Sequence, residues 1–573
     1  MNLQYNYPDG NKPITDLLKE IKRHGFEYGT QKFLNINNEW ESQLSNTQYD
    51  KSADTIFHGI GDKYTRCLDI TGKLGNKAEI LSNIFKQVHV IEFDDNLIEL
   101  QKIRFKEKKC TNISITKCDL LKLPFPDNFF DLILCNEILD DITKFVKIEN
   151  QKEAYKKMIQ ELKRVTTEEG CIIFGVNNNH NLKRLVIQKF SKYMSILKDN
   201  DLQMKPFWAL PSYNTPYYSG EIYNNITSKA FFKNIDTFIS ILNGGKHQSK
   251  IKRLIFSIFK NLNYPFIKTM IQIFSPSFVF CCWKKNTSKS LESWIKKETG
   301  YQNILRMSRH EKILFMLVNI KGEIEKAVYV KRYGSKVPDQ IKFFERKFPN
   351  VKNPSERIWI VDWLKGRPVN PENEDEVMAT INWLIEFQKK TKLGIMNKND
   401  AITETTFIKK GLEHFGYKNI NYFEWLKQYE EYIEQNEINM TSVHGDFWFS
   451  NILYEPETRK ISIIDWDTYS EKGNPYEDFI WLLCNLMGKS SKHPTLKFKK
   501  YLEGNGEMNK IMELLKNQIN SYFGFKLDFI LLLRINLMKW MIIEKQIDEK
   551  NTGKIIKTQK SMFTEMLEIL SEY

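Results

Sequence analysis

The chain has 573 residues, too many for one ordinary domain, and its 41% hydrophobic and 13% aromatic content is enough for two or three packed cores. Its net charge of +14 comes from lysines spread along the chain rather than blocked, so a solvated basic surface is expected, with no nucleic-acid partner and with anionic lipid or nucleotide as the alternative. Eight cysteines without a C-x-x-C pair exclude a disulfide frame and a zinc site of that spacing, and no uncharged apolar run reaches the roughly 18 residues that span a bilayer.

The chain opens as Met1-Asn2-Leu3-Gln4-Tyr5, without the basic-then-apolar pattern of an export signal, so a cytoplasmic location is expected. Residues 1–55 are expected as a helical lead-in. Arg66-Cys67-Leu68-Asp69-Ile70 reads as a short strand running into Thr71-Gly72-Lys73-Leu74-Gly75 and a helix near Lys77–Phe85. Val88-His89-Val90-Ile91-Glu92 is the next strand, and Glu92 lies 23 residues past Asp69, where a ribose hydroxyl pair would be held. Ile113–Asp119 is a third strand ending in an acid. After Leu123-Pro124-Phe125-Pro126-Asp127-Asn128-Phe129-Phe130-Asp131, an apolar run leads to Asn136-Glu137. A helix over Glu153–Arg164 and a strand over Gly170–Val176 follow. This alternation predicts a doubly wound α/β sheet.

The order of these elements, with the L-P-F-P-D-N-x-F-D segment, resembles class I S-adenosylmethionine-dependent methyltransferases over about residues 56–285. The resemblance implies that Asp69 and the Gly72–Gly75 turn face the methionine moiety of S-adenosylmethionine, that Glu92 binds its ribose and that Asp119 meets its adenine amine. The first loop departs from the family pattern D-x-G-x-G-x-G, because Thr71 and Lys73 stand at the first two glycine positions and only Gly75 remains. Backbone must approach the cofactor closely there and adopt φ > 0 in places. Lys73 then either points into the cofactor space or reaches the cofactor carboxylate. The domain is accordingly an active methyltransferase or a degenerate scaffold. Asp140-Asp141, where many relatives carry Glu-His, reads as a helix-end feature.

About a hundred residues separate the strand at 171–176 from the expected final strand, Ser277–Trp283, too many for a simple connection. They include Pro206-Phe207-Trp208-Ala209-Leu210-Pro211 and the basic apolar run Lys250–Lys260. A helical lid inserted at about 180–270 is expected, with an acceptor cap or an interfacial helix in peripheral contact with a membrane as the alternative. Polar, lysine-rich Lys284–Ser290 marks a boundary, and a linker is expected at 286–300.

The second domain is expected over 301–573, with a small lobe at about 301–366 and a larger one at about 367–573. Lys326–Tyr333 follows the hairpin turn Asn319–Glu323 and reads as a strand with Lys331 near its end; Gln340–Phe348 reads as a helix carrying Glu345. Ile358–Pro368 is an apolar strand running into a Gly-containing turn, a lobe connection or an ordinary edge strand. His444-Gly445-Asp446-Phe447-Trp448-Phe449-Ser450-Asn451 precedes the short strand Ile461–Ile464, which delivers Asp465. Phosphoryl transfer from ATP needs a carboxylate for the acceptor hydroxyl and hard oxygen ligands for Mg²⁺. The H-G-D-x-x-x-x-N and I-D-W-D pair resembles the aminoglycoside phosphotransferase and choline kinase family.

That resemblance implies an α+β, bilobal, protein-kinase-like domain. In it Asp446 orients and deprotonates the acceptor, Asn451 and Asp465 ligate Mg²⁺, and Lys331 with Glu345 binds ATP. His444 shapes the loop and Asp478 braces it. The segment Ser308-Arg309-His310-Glu311 would cover the phosphates in place of a G-x-G-x-x-G loop. Tyr422, Trp425 and Tyr429 are placed in an acceptor pocket wall or, at helical spacing, in the core. The reading as a whole is a two-domain transferase acting on a small-molecule or sugar acceptor. The alternative is a chain with one or both halves serving as a binding module.

Overall fold

The computed structural model describes residues 12–26, 29–30, 32, 65–70, 72–140, 142–144, 146, 150–177, 187–211, 216–234, 275, 277–285, 290–308, 312–331, 352–355, 358–486, 494–504, 509–552 and 562–572. They divide into two compact units, the first reaching Trp363 and the second beginning at Leu364.

The first unit opens with α1 (Lys12–His24). Its apolar face, Ile14, Leu17, Leu18 and Ile21, is buried with Leu97 and Leu100. Then β1 (Arg66–Ile70), α2 (Asn76–Ser82), β2 (Gln87–Ile91), α3 (Asp95–Glu107), β3 (Ile113–Thr116), β4 (Phe130–Cys135), α4 (Gln151–Val165) and β5 (Thr166–Asn177) alternate. Caps start two of the helices: Asp94 accepts from the N–H groups of Asn96 and Leu97, and Asn150 from those of Lys152 and Glu153. β1 pairs in parallel with β2 on one side and β4 on the other, and β3 and β5 extend these flanks. Cys67, Leu68 and Ile70 are all buried, as expected of a parallel strand covered on both faces. The chain leaves β1 toward β2 and later returns on the opposite side as β4, so a switch point lies between β1 and β4.

Next come α5 (Ile187–Lys198), β6 (Gln203–Pro211), β7 (Pro216–Glu221), α6 (Asn225–Lys233) and β8 (Ser277–Trp283). β8 runs antiparallel to β5 and to β6, and β6 pairs with β7. The helical lid expected at about 180–270 is corrected here, because residues 203–211 and 216–221 form strands within the sheet. Phe207, Trp208 and Ala209 are buried in succession, as both faces of an interior strand must be, and Trp208 packs on Phe231 of α6. The basic run 250–260 lies outside the described residues.

The linker expected at 286–300 contains a helix, α7 (Leu291–Thr299), capped by Ser290 and buried through Leu291 and Ile295. β9 (Asn303–Ser308), β10 (Lys312–Val318), β11 (Ile324–Lys331), β12 (Lys352–Ser355) and β13 (Ile358–Asp362) follow. β9 pairs antiparallel with β7, and Arg306 donates through Nε to Ser219 Oγ at 2.7 Å. Among the described residues the result is one sheet of thirteen strands, in the order β12-β13-β11-β10-β9-β7-β6-β8-β5-β4-β1-β2-β3. The strands β9 to β13 of the small lobe expected at 301–366 are therefore hydrogen-bonded into the first sheet, and the division falls at Leu364 rather than at 286–300. A polar, lysine-rich stretch signals solvent exposure, whereas a sheet edge is settled by which backbone groups find partners.

The second unit is mainly helical: α8 (Glu374–Lys390), α9 (Lys398–His414), α10 (Ile420–Gln435), α11 (Tyr476–Cys484), α12 (Pro494–Leu502), α13 (Asn509–Phe523), α14 (Phe529–Thr552) and α15 (Met562–Leu570). Two small sheets cross it, β14 (Arg367–Pro368) with β17 (Ile452–Glu455) and β18 (Lys460–Ile463), and β15 (Gly394–Met396) with β16 (Ile438–Val443) and β19 (Ser470–Gly473). Tyr422, Trp425 and Tyr429 are buried in its core with Leu384, Ile433 and Met538. Among the described residues no helix is long and apolar enough to cross a membrane, and the cysteines form no disulfide.

Candidate functional site

At the C-terminal ends of β1, β2 and β4 the first unit gathers charged groups around the switch point. Asp69, on β1, is fully buried with Lys77 Nζ 3.9 Å away. Gly72 follows, and a Cβ there would meet the Val90 side chain at 2.4 Å, so the turn after β1 sits directly on β2. Lys73 has φ 48, a left-handed conformation that glycine adopts at less cost. Gly75, at φ 81, opens α2.

Glu92, immediately after β2, is fully buried. One carboxylate oxygen accepts from the N–H of Phe93 at 2.8 Å and of Asp94 at 3.3 Å, and the other from the N–H of Lys73 at 2.9 Å. Gln101 ties the same turn from α3, its Nε2 donating to Lys73 O at 2.6 Å. Burial pushes Glu92 up to about 7, against the pull of its three backbone donors. The Lys73 ammonium reaches the opposite wall and pairs with Glu137 Oε1 at 2.7 Å. Glu137 follows β4, has φ 65, and donates its N–H to Gly175 O at 2.8 Å. Asp119, three residues past β3, is exposed and accepts from Leu121 N at 2.9 Å. Asp140 accepts from Tyr193 OH at 2.5 Å and from Asn177 N at 3.2 Å; Thr71 and Asp141 lie outside the described residues.

The structure thus puts Asp69, Gly72, Gly75, Glu92 and Asp119 at or just past successive strand ends, with Glu92 joined directly to the turn after β1. Glu137 was missed from the sequence. Its signal was available, an acid just past β4 on the far side of the switch point, but only the fold sets it against Lys73.

In the second unit the loop after β16 is held by a buried carboxylate. Asp478, on α11, accepts from the N–H of His444 at 2.8 Å and of Gly445 at 2.9 Å. Burial pushes Asp478 up to about 7. Gly445 has φ 79, and a Cβ there would meet Thr468 O at 2.7 Å, which explains a glycine at that position. His444 Nε2 donates to Ile464 O at 3.0 Å, while its Nδ1 accepts from Asp446 N at 3.3 Å. One neutral tautomer satisfies both bonds, so the ring is a strut between loops. Asn451 Nδ2 donates to both Asp446 O and Asp446 Oδ2, each at 2.9 Å.

Ile464 N donates to Asn451 O at 2.9 Å, which fixes the chain just before Asp465; Asp465 is left-handed at φ 64. α11 is itself anchored, since Lys539 of α14 pairs with Glu477 at 2.8 Å and with Glu404 at 3.1 Å. Asp446 is half-buried and Asn451 buried. Lys331 is the last residue of β11, in the first unit, and is described by its backbone; Glu345 and residues 309–311 lie outside the described residues. Among the described residues no group of three His, Cys, Asp or Glu could hold a metal ion.

Residues 62–261 match a family model described as a methyltransferase domain. The N-terminal part of the chain therefore carries a methyltransferase domain with a Rossmann-like fold. An uncharacterized protein of Methanocaldococcus jannaschii is 29% identical over 143 residues, which cover 25% of this chain and 55% of that protein. The chain thus spans about half the length of this curated relative. Among solved structures, an SAM-dependent methyltransferase from Aquifex aeolicus is 16% identical with a TM-score of 0.24, over 31% of this chain and 92% of that one. The YcgJ protein from Bacillus subtilis is 15% identical with a TM-score of 0.24, over 41% of this chain and 99% of that one.

Proposed function

We propose that the methyltransferase domain uses S-adenosylmethionine and transfers its methyl group to a small-molecule or sugar acceptor. The observation that carries this reading is the switch point between β1 and β4, where the turn after β1 is hydrogen-bonded to the acid after β2. The donor set fits the cofactor at both ends. Exposed Asp119 offers a carboxylate to an exocyclic amine, and Lys73 with Glu137 offers one charge of each sign to an amino-acid head group. Glu92 is the acceptor for the ribose hydroxyls, and the Lys73 N–H must yield its place on that carboxylate when they arrive. The cofactor supplies a methyl group on a sulfonium, activated for transfer to a nucleophile. Titration of S-adenosylmethionine into the full chain by calorimetry is expected to give a Kd of about micromolar order. No binding at millimolar cofactor would overturn the reading and leave the domain as a scaffold.

A second reading, for the second unit, is favoured by the contact of Asn451 with both the carbonyl and the carboxylate of Asp446. In this proposal the unit supports ATP-dependent phosphorylation of a hydroxyl on the same or a related acceptor, in the cytoplasm. Asp446 orients and deprotonates that hydroxyl. Asn451 holds Asp446 through its amide N–H groups, and its amide oxygen and the carboxylate of Asp465 are the groups that would hold Mg²⁺, which would neutralise phosphate charge. Lys331 and Glu345 are assigned to ATP on the resemblance alone. The test is ATP consumption with a panel of aminoglycosides, choline, homoserine and sugars. Asp446→Asn is expected to slow turnover about 10²–10⁴-fold with any acceptor that the wild type uses. Equal rates in the two proteins, or no acceptor-dependent consumption in the wild type, would sink it.

A further inference from the structure

Helices α11 to α14 of the second unit border a cavity of about 420 Å³. That volume lies within the roughly 300–1,000 Å³ of small-ligand sites. Leu483 of α11, Met512 of α13, Leu527 just before α14 and Leu533 within it are all buried and form its floor. α11 stands between this floor and the loop after β16. Asp478, Trp481 and Asn485, three and four residues apart, meet His444, Trp448 and Phe449 of that loop. Phe479 and Leu483 take the other side of the helix, where Phe479 packs on Tyr522 and Phe523 of α13. The floor therefore lies across α11 from the loop that carries Asp446, and its occupant is not the hydroxyl acceptor proposed above.

The rest of the lining is charged. Lys516 Nζ lies 5.1 Å from the centre of the Tyr501 ring and 5.7 Å from that of Phe529, two aromatic faces that hold a partly desolvated ammonium. The Lys516 side chain is 25% exposed, whereas its carboxylate partner Glu513, 3.1 Å away, is 62% exposed. A pair open to water on one side contributes little, so Glu513 can turn to solvent and leave the ammonium to a ligand. Exposed Lys526 adds a second cation, while the Asp528 carboxylate is engaged as the cap of α14, accepting the N–H of Leu531 at 2.9 Å. An apolar floor beside an aromatic-flanked ammonium complements a molecule with an apolar chain and one anionic end. We propose that this cavity binds a medium-chain acyl carboxylate, its chain on the Leu483, Met512 and Leu533 floor and its carboxylate on Lys516. Binding is non-covalent, and the site stands independently of both transfer reactions proposed above.

The experiment titrates decanoate and decyltrimethylammonium, equal chains with opposite charge, into the full chain by calorimetry. The proteins are the wild type, Lys516→Gln, Lys516→Glu and Leu533→Trp, each checked for folding by its urea midpoint. The wild type is expected to bind one decanoate with a Kd below about a millimolar and to favour it over the cation by about tenfold or more. Lys516→Gln is expected to weaken decanoate about tenfold, the scale of one charge-assisted contact, and to leave the cation within about twofold. Lys516→Glu is expected to reverse the preference, and Leu533→Trp, which fills the floor, to remove decanoate binding. No decanoate binding by the wild type at about ten times that concentration would overturn the proposal. So would equal decanoate binding by the wild type and Lys516→Gln, or by the wild type and a folded Leu533→Trp, since either would place the ligand elsewhere. If Leu533→Trp does not fold, the two substitutions at the partly exposed Lys516 decide the question alone.

Discussion

Two buried carboxylates hold two loops by the same device, and they differ in what else they are asked to do. Glu92 accepts the N–H of Lys73 from the turn after β1, and Asp478 accepts the N–H groups of His444 and Gly445 from the loop after β16. Burial pushes both up to about 7. Asp478 grips its loop from a separate helix, which leaves Asp446 half-buried and bonded to Asn451. In the first unit one carboxylate is both the brace of the loop and the group proposed to meet the ribose. A loop braced from outside can be rigid before any ligand arrives, whereas a loop braced by the binding group must exchange a bond to let the ligand in.

Removing each brace sharpens the contrast. Asp478→Ala strands two buried N–H groups, at about 1–3 kcal/mol each, so a loss of about 2–6 kcal/mol from the second unit is expected in urea unfolding. A loss below about 0.5 kcal/mol would mean that the loop holds itself and that the comparison is wrong. The smaller effect is a pH dependence. Burial raises Glu92 from 4.5 to about 7, so the folded chain keeps a proton that the unfolded chain has released across that window. The resulting stability is fully present below about pH 4.5 and is lost as pH rises through about 7. Between these limits the wild type is expected to lose about 3 kcal/mol more than Glu92→Gln, read from urea midpoints at several pH values. Parallel curves would show that the three backbone donors outweigh burial and keep Glu92 ionised throughout.

Much of each site was legible in the sequence where partners are near in the chain. The strand ends that deliver Asp69 and Glu92 follow from apolar runs closed by an acid, and β1 to β5 lie where those runs predicted. The link from Asn451 to Asp446 spans five residues. The helical lid was wrong because aromatic-rich residues 203–211 suit either a packed helix or an interior strand, and pairing with β8 decided for the strand. The linker at 286–300 was misplaced because polarity reports exposure and not sheet connectivity.

The sequence by itself determined the alternating elements of the first unit, the acids at their ends and the H-G-D-x-x-x-x-N spacing, because strand, turn and loop geometry depend on residues a few positions apart. The tertiary structure alone decided that Lys73 meets Glu137, 64 residues away, and that β9 closes on β7 so that β9 to β13 join the first sheet. Such partners are set by which strand edges pair and which ends converge at a switch point, and no local pattern of residues encodes that choice.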